Sequence, residues 1–185
     1  MSAEGSGSRL DVLVIGGGQA GLAMGRHLAH RGLRFLIVDA GAEIGSVWRS
    51  RWDSLRLFTS GRYDNLPGLP FPASADTYPG KDEVADYLQA YAAAFEPPVR
   101  LDTTVTSMTP SGDGSYLAKA GVDELEAARV VVATGPFQTP FTPPVAADLA
   151  PEVHQLHSRL SAPRTASAGP GARRGRSELR LSDRA

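Results

Sequence analysis

Val12-Leu-Val-Ile-Gly16-Gly-Gly18-Gln-Ala-Gly21, with Asp39 closing the next apolar run, is the stretch that decides the fold. Val12–Ile15 is short, apolar and largely β-branched, as a buried parallel strand requires, and it runs straight into a Gly-x-Gly-x-x-Gly spacing. Gly16 permits a tight strand-to-helix turn, Gly18 lets backbone approach a diphosphate with no Cβ in the way, and Gly21 lets the following helix sit close to the strand. The helix that follows offers free N–H groups and a partial positive charge at its start, which suit an anion. Phe35–Val38 reads as a second buried strand, and Asp39 stands where a carboxylate accepts hydrogen bonds from a ribose. A glycine triplet alone is compatible with an ordinary loop. Strand, glycines, helix, strand and acid within about thirty residues point to an adenine dinucleotide, FAD or NAD.

Composition narrows the class. The chain has 185 residues, enough for one domain or one domain and a tail, and no cysteine, which excludes disulfides, thiolate metal sites and a redox dithiol. Its four histidines, His27, His30, His154 and His157, have no zinc-ligand spacing and read as ordinary helix and loop residues. No run approaches the roughly 18 apolar residues of a membrane span, and the Ser/Gly-rich residues 1–9 lack a secretory pattern. A cytoplasmic protein acting on a small molecule is expected, with no nucleic-acid or membrane partner. Charge is uneven: residues 1–158 carry 12 Lys and Arg against 18 Asp and Glu, whereas residues 159–185 carry 7 Arg against 2 acids. Such a break marks a change in the character of the chain.

Beyond the first β-α-β unit, with its helix predicted over Ala20–Arg31, residues 41–79 form a long stretch rich in Pro, Gly and aromatics. Its composition argues against regular elements, and a loop of this length is usually functional. Lys81–Phe95 is amphipathic, with Val84, Leu88, Tyr91 and Phe95 on one face, and Pro97-Pro98 ends it. Val99–Leu101 reads as a short strand. Thr103–Met108 and Tyr116–Ala120 alternate like antiparallel strands about a Ser-Gly-Asp-Gly turn, and Arg129–Ala133 is another buried strand. The expected fold is α/β: a Rossmann-like dinucleotide-binding domain over residues 10–158, its parallel sheet carrying an antiparallel meander insertion and incomplete at its C-terminal end. Residues 1–9 are expected to be flexible. Residues 159–185, with Leu160, Leu179 and Leu181 their only apolar residues beyond Ala, are expected to be disordered. Arg outnumbers Lys 17 to 2, as a GC-rich gene would produce, and a shifted frame of such DNA yields the Arg, Ala, Gly, Pro and Ser of this tail. Loss of the natural frame near Ser158 is the expectation.

Gly16-Gly-Gly-Gln-Ala-Gly21, Leu36-Ile-Val-Asp39-Ala40, Gly45-Ser-Val-Trp48-Arg49, Trp52-Asp-Ser-Leu55-Arg-Leu57, Leu69-Pro-Phe-Pro72, Tyr78-Pro-Gly-Lys81 and Val132-Ala-Thr-Gly135 occur in that order. Together they resemble the N-terminal FAD domain of the flavin-containing monooxygenase superfamily, most of all its bacterial single-component flavoproteins. The resemblance implies that Gly16, Gly18 and Gly21, with Gln19 and Ala20, cradle the FAD pyrophosphate, and that Asp39 and Ala40 take the adenosine ribose. It places Gly45, Trp48, Arg49 and Leu55 along the ribityl chain and flavin, although Trp48 by composition alone could equally be a core aromatic. Val105 would present backbone to the adenine, and Ala133, Thr134 and Gly135 would close over the dinucleotide again.

In that family NADPH reduces FAD, and the reduced flavin uses O2 to oxygenate a small substrate, so the chemistry belongs to the cofactor. No side chain is singled out as catalytic and no metal is expected. The family's second Gly-x-Gly-x-x-Gly, which binds NADPH, is not in this sequence. An impaired, truncated oxidoreductase with an apolar sheet edge left open is therefore expected. A non-catalytic FAD-binding fragment and an NAD-binding module are the alternatives.

Overall fold

The computed structural model describes residues 9–136, 141–150 and 153. The expectations for residues 1–8 and 159–185, and for a loss of frame near Ser158, fall outside those residues.

The Val12–Ile15 run is a strand, β1, and it lies in the middle of a four-stranded parallel sheet. Helix α1 (Gln19–His30) leads from it to β2 (Phe35–Val38), which pairs with β1 in parallel from Val12 opposite Phe35 to Ile15 opposite Val38. A long connection carrying the four-residue helix α2 (Ser46–Arg49) reaches α3 (Lys81–Phe95), and β3 (Val99–Arg100) then joins the outer side of β2. The chain leaves for an antiparallel meander of β4 (Val105–Pro110), β5 (Tyr116–Ala120) and β6 (Asp123–Ala127). It returns as β7 (Val130–Val132), parallel to β1 on the side away from β2, so the sheet order is β3-β2-β1-β7.

Both faces of the parallel sheet are covered, which is why its strands are apolar throughout rather than alternating. Val12, Val14, Phe35 and Ile37 face α1 and α3 and pack with Leu22, Leu28, Val84, Leu88 and Tyr91. Leu13 and Val38 face the other way and pack on Ala118 and Ala127 of the meander. A Cβ at Gly25 would stand 2.8 Å from the Ile37 Cδ1, so the missing side chain sets how closely α1 approaches the sheet.

Most predicted elements appear within a residue or two of their expected bounds, and three differences have physical causes. The meander has a third strand, β6, beyond the two anticipated. Three of its five residues are acids, a composition that disfavours strand, and its place rests on turning Leu125 and Ala127 inward against β5 and the sheet. The long connection is not wholly irregular, because α2 and a 3-10 turn at Gly61–Tyr63 form within it. It is also pinned rather than loose. The Tyr87 hydroxyl accepts from Leu66 N at 2.7 Å and donates to the Leu69 carbonyl at 2.6 Å, and the Tyr91 hydroxyl donates to the Pro67 carbonyl at 2.8 Å.

The open sheet edge was expected, and among the described residues β7 has no strand beyond it. Val132 on that strand is 65% exposed. No helix of the described residues is long and apolar enough to cross a membrane.

Candidate functional site

β1, β2 and β7 are neighbours in one parallel sheet, so their C-terminal ends come together, and ligands bind at such ends in α/β sheets. The three expected clusters, residues 16–21, 39–40 and 133–135, follow those three strands directly. Gly16 has φ +112°, a conformation that side chains disfavour, and a Cβ there would lie 2.5 Å from the Ala133 carbonyl oxygen. Gly16 N donates to the Val38 carbonyl at 2.8 Å, and Ala133 N donates to the Ile15 carbonyl at 2.7 Å. A Cβ at Gly21 would stand 1.8 Å from the Gly16 carbonyl oxygen, so α1 can begin this close to the turn only with glycine there.

Gly18 differs from its two partners. It is the N-cap of α1 in an extended conformation that any residue adopts, and a Cβ on it would meet nothing within 4 Å. The space above Gly18 is open, and it lies where the uncapped N–H groups of α1 are available. No side chain caps this helix, and its first turn, which includes the exposed Gln19 and Ala20, contains no acid. This end of the site can therefore hold a diphosphate with no rearrangement of protein groups.

Asp39 has a structural task in the fold. Its carboxylate accepts from Gly17 N at 2.5 Å and from Gly41 N at 2.7 Å, tying the glycine turn to the chain beyond β2. A carboxylate has about four lone-pair positions, so each oxygen keeps one for a ligand hydroxyl. Ala40 beside it is exposed. Gly17 and Gly41 were not singled out from the sequence, although Asp39-Ala-Gly41 has the Asx-turn spacing that could have marked the second. Ile44 then folds back over the turn, its Cδ1 placed 3.3 Å from where a Gly17 Cβ would be.

Val105 begins β4 and is partly buried against the core cluster of Leu13, Val38, Ala118 and Ala127. The segment leading into it passes the site, since Thr103 N donates to the Asp39 carbonyl at 2.8 Å and Asp102 N to the Gly41 carbonyl at 3.0 Å. Thr134 and Gly135 are exposed past the end of β7, with Gly135 at φ +74° and open space where its Cβ would be.

The residues assigned to the flavin end are held by α3. Gly45, φ +86°, caps α2 and lies so close to α3 that a Cβ would be 2.9 Å from the Ala85 carbonyl oxygen. Trp48 is half-buried and packs against the main core. The Arg49 side chain is turned to α3. Its guanidinium donates to Asp86 at 2.7 Å and to Gln89 at 3.1 Å, with Glu43 at 3.4 Å, so its side chain fastens α2 to α3. The hydrogen bond to Asp86, then the charges of Asp86, Glu43 and Asp82, hold it more firmly protonated than a free arginine. Leu55 lines an open apolar recess with Trp52, Leu57, Phe58 and Tyr78, which shares no lining residue with the glycine turn. The described residues contain no group of His, Asp and Glu able to hold a metal ion.

Comparison with known proteins sets this arrangement in a family. Residues 13–164 match the model of the pyridine nucleotide-disulphide oxidoreductases. An uncharacterized CzcO-like oxidoreductase of Geobacillus kaustophilus is 46% identical over 157 residues, covering 80% of this chain and 42% of the relative. The rice indole-3-pyruvate monooxygenase YUCCA1 is 36% identical over 134 residues, covering 71% of this chain and 33% of its own length. Among solved structures, the flavin-containing monooxygenase from Stenotrophomonas maltophilia superposes with a TM-score of 0.69 at 36% identity, covering 74% of this chain and 41% of that one. The chain thus spans less than half the length of these relatives.

Proposed function

Because the chain belongs to the pyridine nucleotide-disulphide oxidoreductase family, we propose that it is the FAD-holding part of an NADPH-dependent flavoprotein monooxygenase. The observation that carries this reading is the open space at Gly18, beside the uncapped start of α1, with the Asp39 carboxylate held on the neighbouring Gly17 N. Gly16, Gly18, Gln19, Ala20 and Gly21 would hold the diphosphate through backbone N–H groups. Asp39 would accept the ribose hydroxyls on the lone pairs that Gly17 and Gly41 leave. Gly45, Trp48 and the backbone at Arg49 would border the flavin end, and Ala133 to Gly135 the opposite wall.

When bound, FAD supplies hydride acceptance and oxygen activation, for which protein side chains have no equivalent. The work left to this chain is to bind, to orient and to keep water from one side of the site. The NADPH site and the groups that shape the substrate pocket belong to parts of the relatives that this chain does not match, so substrate oxygenation requires them. The substrate is a small molecule, and a cytoplasmic setting suits an NADPH-dependent reaction. The glycine turn and Asp39 would serve NAD equally well, and the aromatic segment at 48–58 together with the flavin-named relatives favours FAD.

Titration of the purified chain with FAD, followed by quenching of flavin fluorescence, tests the proposal. Saturable binding that excess NAD does not displace is the expected result. Preference for NAD, or no binding of FAD at all, would overturn it. With FAD bound, NADPH should not bleach the flavin at a rate that supports turnover.

A further inference from the structure

Lys81, which ends the Tyr78-Pro-Gly-Lys81 motif, has no part in the roles given above, yet its side chain is only 13% exposed. It is the first residue of α3, where the partial positive charge of the helix disfavours a cation and favours acids such as Asp82 and Glu83. The side chain answers this by gathering acceptors from its own helix and from the segment before it. Its Nζ donates to the Arg49 carbonyl at 2.8 Å and lies 3.5 Å from carboxylate oxygens of Asp53 and of Asp82. Arg49 is the last residue of α2, where carbonyls lack partners within the helix. Asp53 follows Trp52 in the turn beyond.

One turn of helix does not persist unaided, because nucleation is unfavourable and few bonds follow it. α2 is therefore placed by what it leans on. Gly45 against Ala85 fixes its start, Arg49 against Asp86 fixes its flank, and Lys81 fixes its end. Of these three contacts, the one at Lys81 also reaches the Trp52–Leu55 turn, through Asp53.

We propose that Lys81 is a positioning residue for the flavin: its partly buried ammonium joins the end of α2, the Trp52–Leu55 turn and the start of α3. Trp48 and the backbone of 45–49 are thereby held in the arrangement that receives the flavin end of the dinucleotide. This inference rests on the FAD reading above.

Wild-type protein, Lys81→Met, Lys81→Arg and Asp53→Asn would be compared by FAD titration, by the visible absorbance and circular dichroism of bound flavin, and by backbone hydrogen exchange across residues 46–55. Lys81→Met should weaken FAD about tenfold or more, as loss of a hydrogen bond to a charged group implies. It should also shift the spectrum of the bound flavin and speed exchange in 46–55. Lys81→Arg, which keeps the charge and the donors, should restore the wild-type spectrum. Asp53→Asn should shift it in the same direction as Lys81→Met, and it decides the matter if Lys81→Met does not fold. Wild-type affinity and spectrum in Lys81→Met, or in Asp53→Asn where that variant decides, would overturn the proposal. So would unchanged exchange across 46–55. Wild-type protein that takes no FAD would remove the FAD reading and this inference with it, and that result is distinguished by needing no variant.

Discussion

Gly18→Ala separates the binding role of the glycine turn from its structural role. Gly18 sits at φ −77° and ψ −170° with no atom within 4 Å of an added Cβ, so alanine fits without strain. Alanine is the poorer N-cap, by about 0.5–1 kcal/mol, and glycine loses more chain entropy on folding, by about 0.4–1 kcal/mol. These oppose one another, and the melting temperature should move by no more than about 2–4 °C. The methyl group would nevertheless stand in the volume that a diphosphate needs in order to reach the N–H groups of α1. Losing one or two charge-assisted hydrogen bonds, at about 1.5–3 kcal/mol each, weakens FAD at least tenfold and about a hundredfold or more if both go. Gly21→Ala is the counterpart. Its Cβ at 1.8 Å from the Gly16 carbonyl must retreat to at least 3.0 Å, moving α1 away from β1. That displacement belongs at or above the upper end of the about 1–3 kcal/mol of an overpacked core. Thermal melts of the free proteins and FAD titration followed by flavin fluorescence read both quantities. If Gly18→Ala binds FAD as wild type does, or melts as low as Gly21→Ala, the reasoning about this turn is wrong.

Asp39→Ala should destabilise the protein by about 2–4 kcal/mol in urea melts without ligand, because Gly17 N and Gly41 N both lose their acceptor. A variant that loses only ligand affinity would show that Asp39 has no structural part. Burial foremost raises the phenol pKa values of Tyr87 and Tyr91 above the ordinary 10.0. The folded state thus favours the neutral phenols, and their contribution is complete below pH 10 and lost as pH rises through the raised values. Tyr87→Phe should destabilise the protein by about 1–3 kcal/mol at neutral pH, since Leu66 N and the Leu69 carbonyl are left without it. With Tyr91→Phe it should also flatten the alkaline fall in stability, and an unchanged alkaline limb in urea melts across pH would refute this. Val132→Lys on the exposed end of β7 should lower self-association measured by light scattering while leaving the melting temperature within about 2–4 °C. Unchanged association would mean that this edge is not where the chain associates.

Much of the fold was legible because local chemistry and global placement agree. The runs Val12–Ile15 and Phe35–Val38 are apolar on both faces and stand beside glycine and acid, and the amphipathic Lys81–Phe95 closes at two prolines. Less legible were elements whose reason for existing lies elsewhere in the chain. β6 is an acidic pentapeptide made a strand by its neighbour β5, and α2 is a single turn made a helix by α3. The bracing of α2 by the Arg49 side chain was not legible either, because no reading of its own segment reveals that Asp86, Gln89 and Glu43 surround it.

The residues at 12–39 determined by themselves that a tight turn free of side chains joins β1 to α1, since a side chain is either absent at 16, 18 and 21 or it is not. Tertiary structure decided what that turn is fastened to: Ala133 stands under Gly16, and Asp39 grips Gly17 and Gly41. It also decided that Lys81 reaches the end of α2 from 32 residues away. The reason is physical. Backbone freedom and apolar pattern are properties of adjacent residues, whereas a buried charge takes its role from whatever the folded chain brings within hydrogen-bond reach.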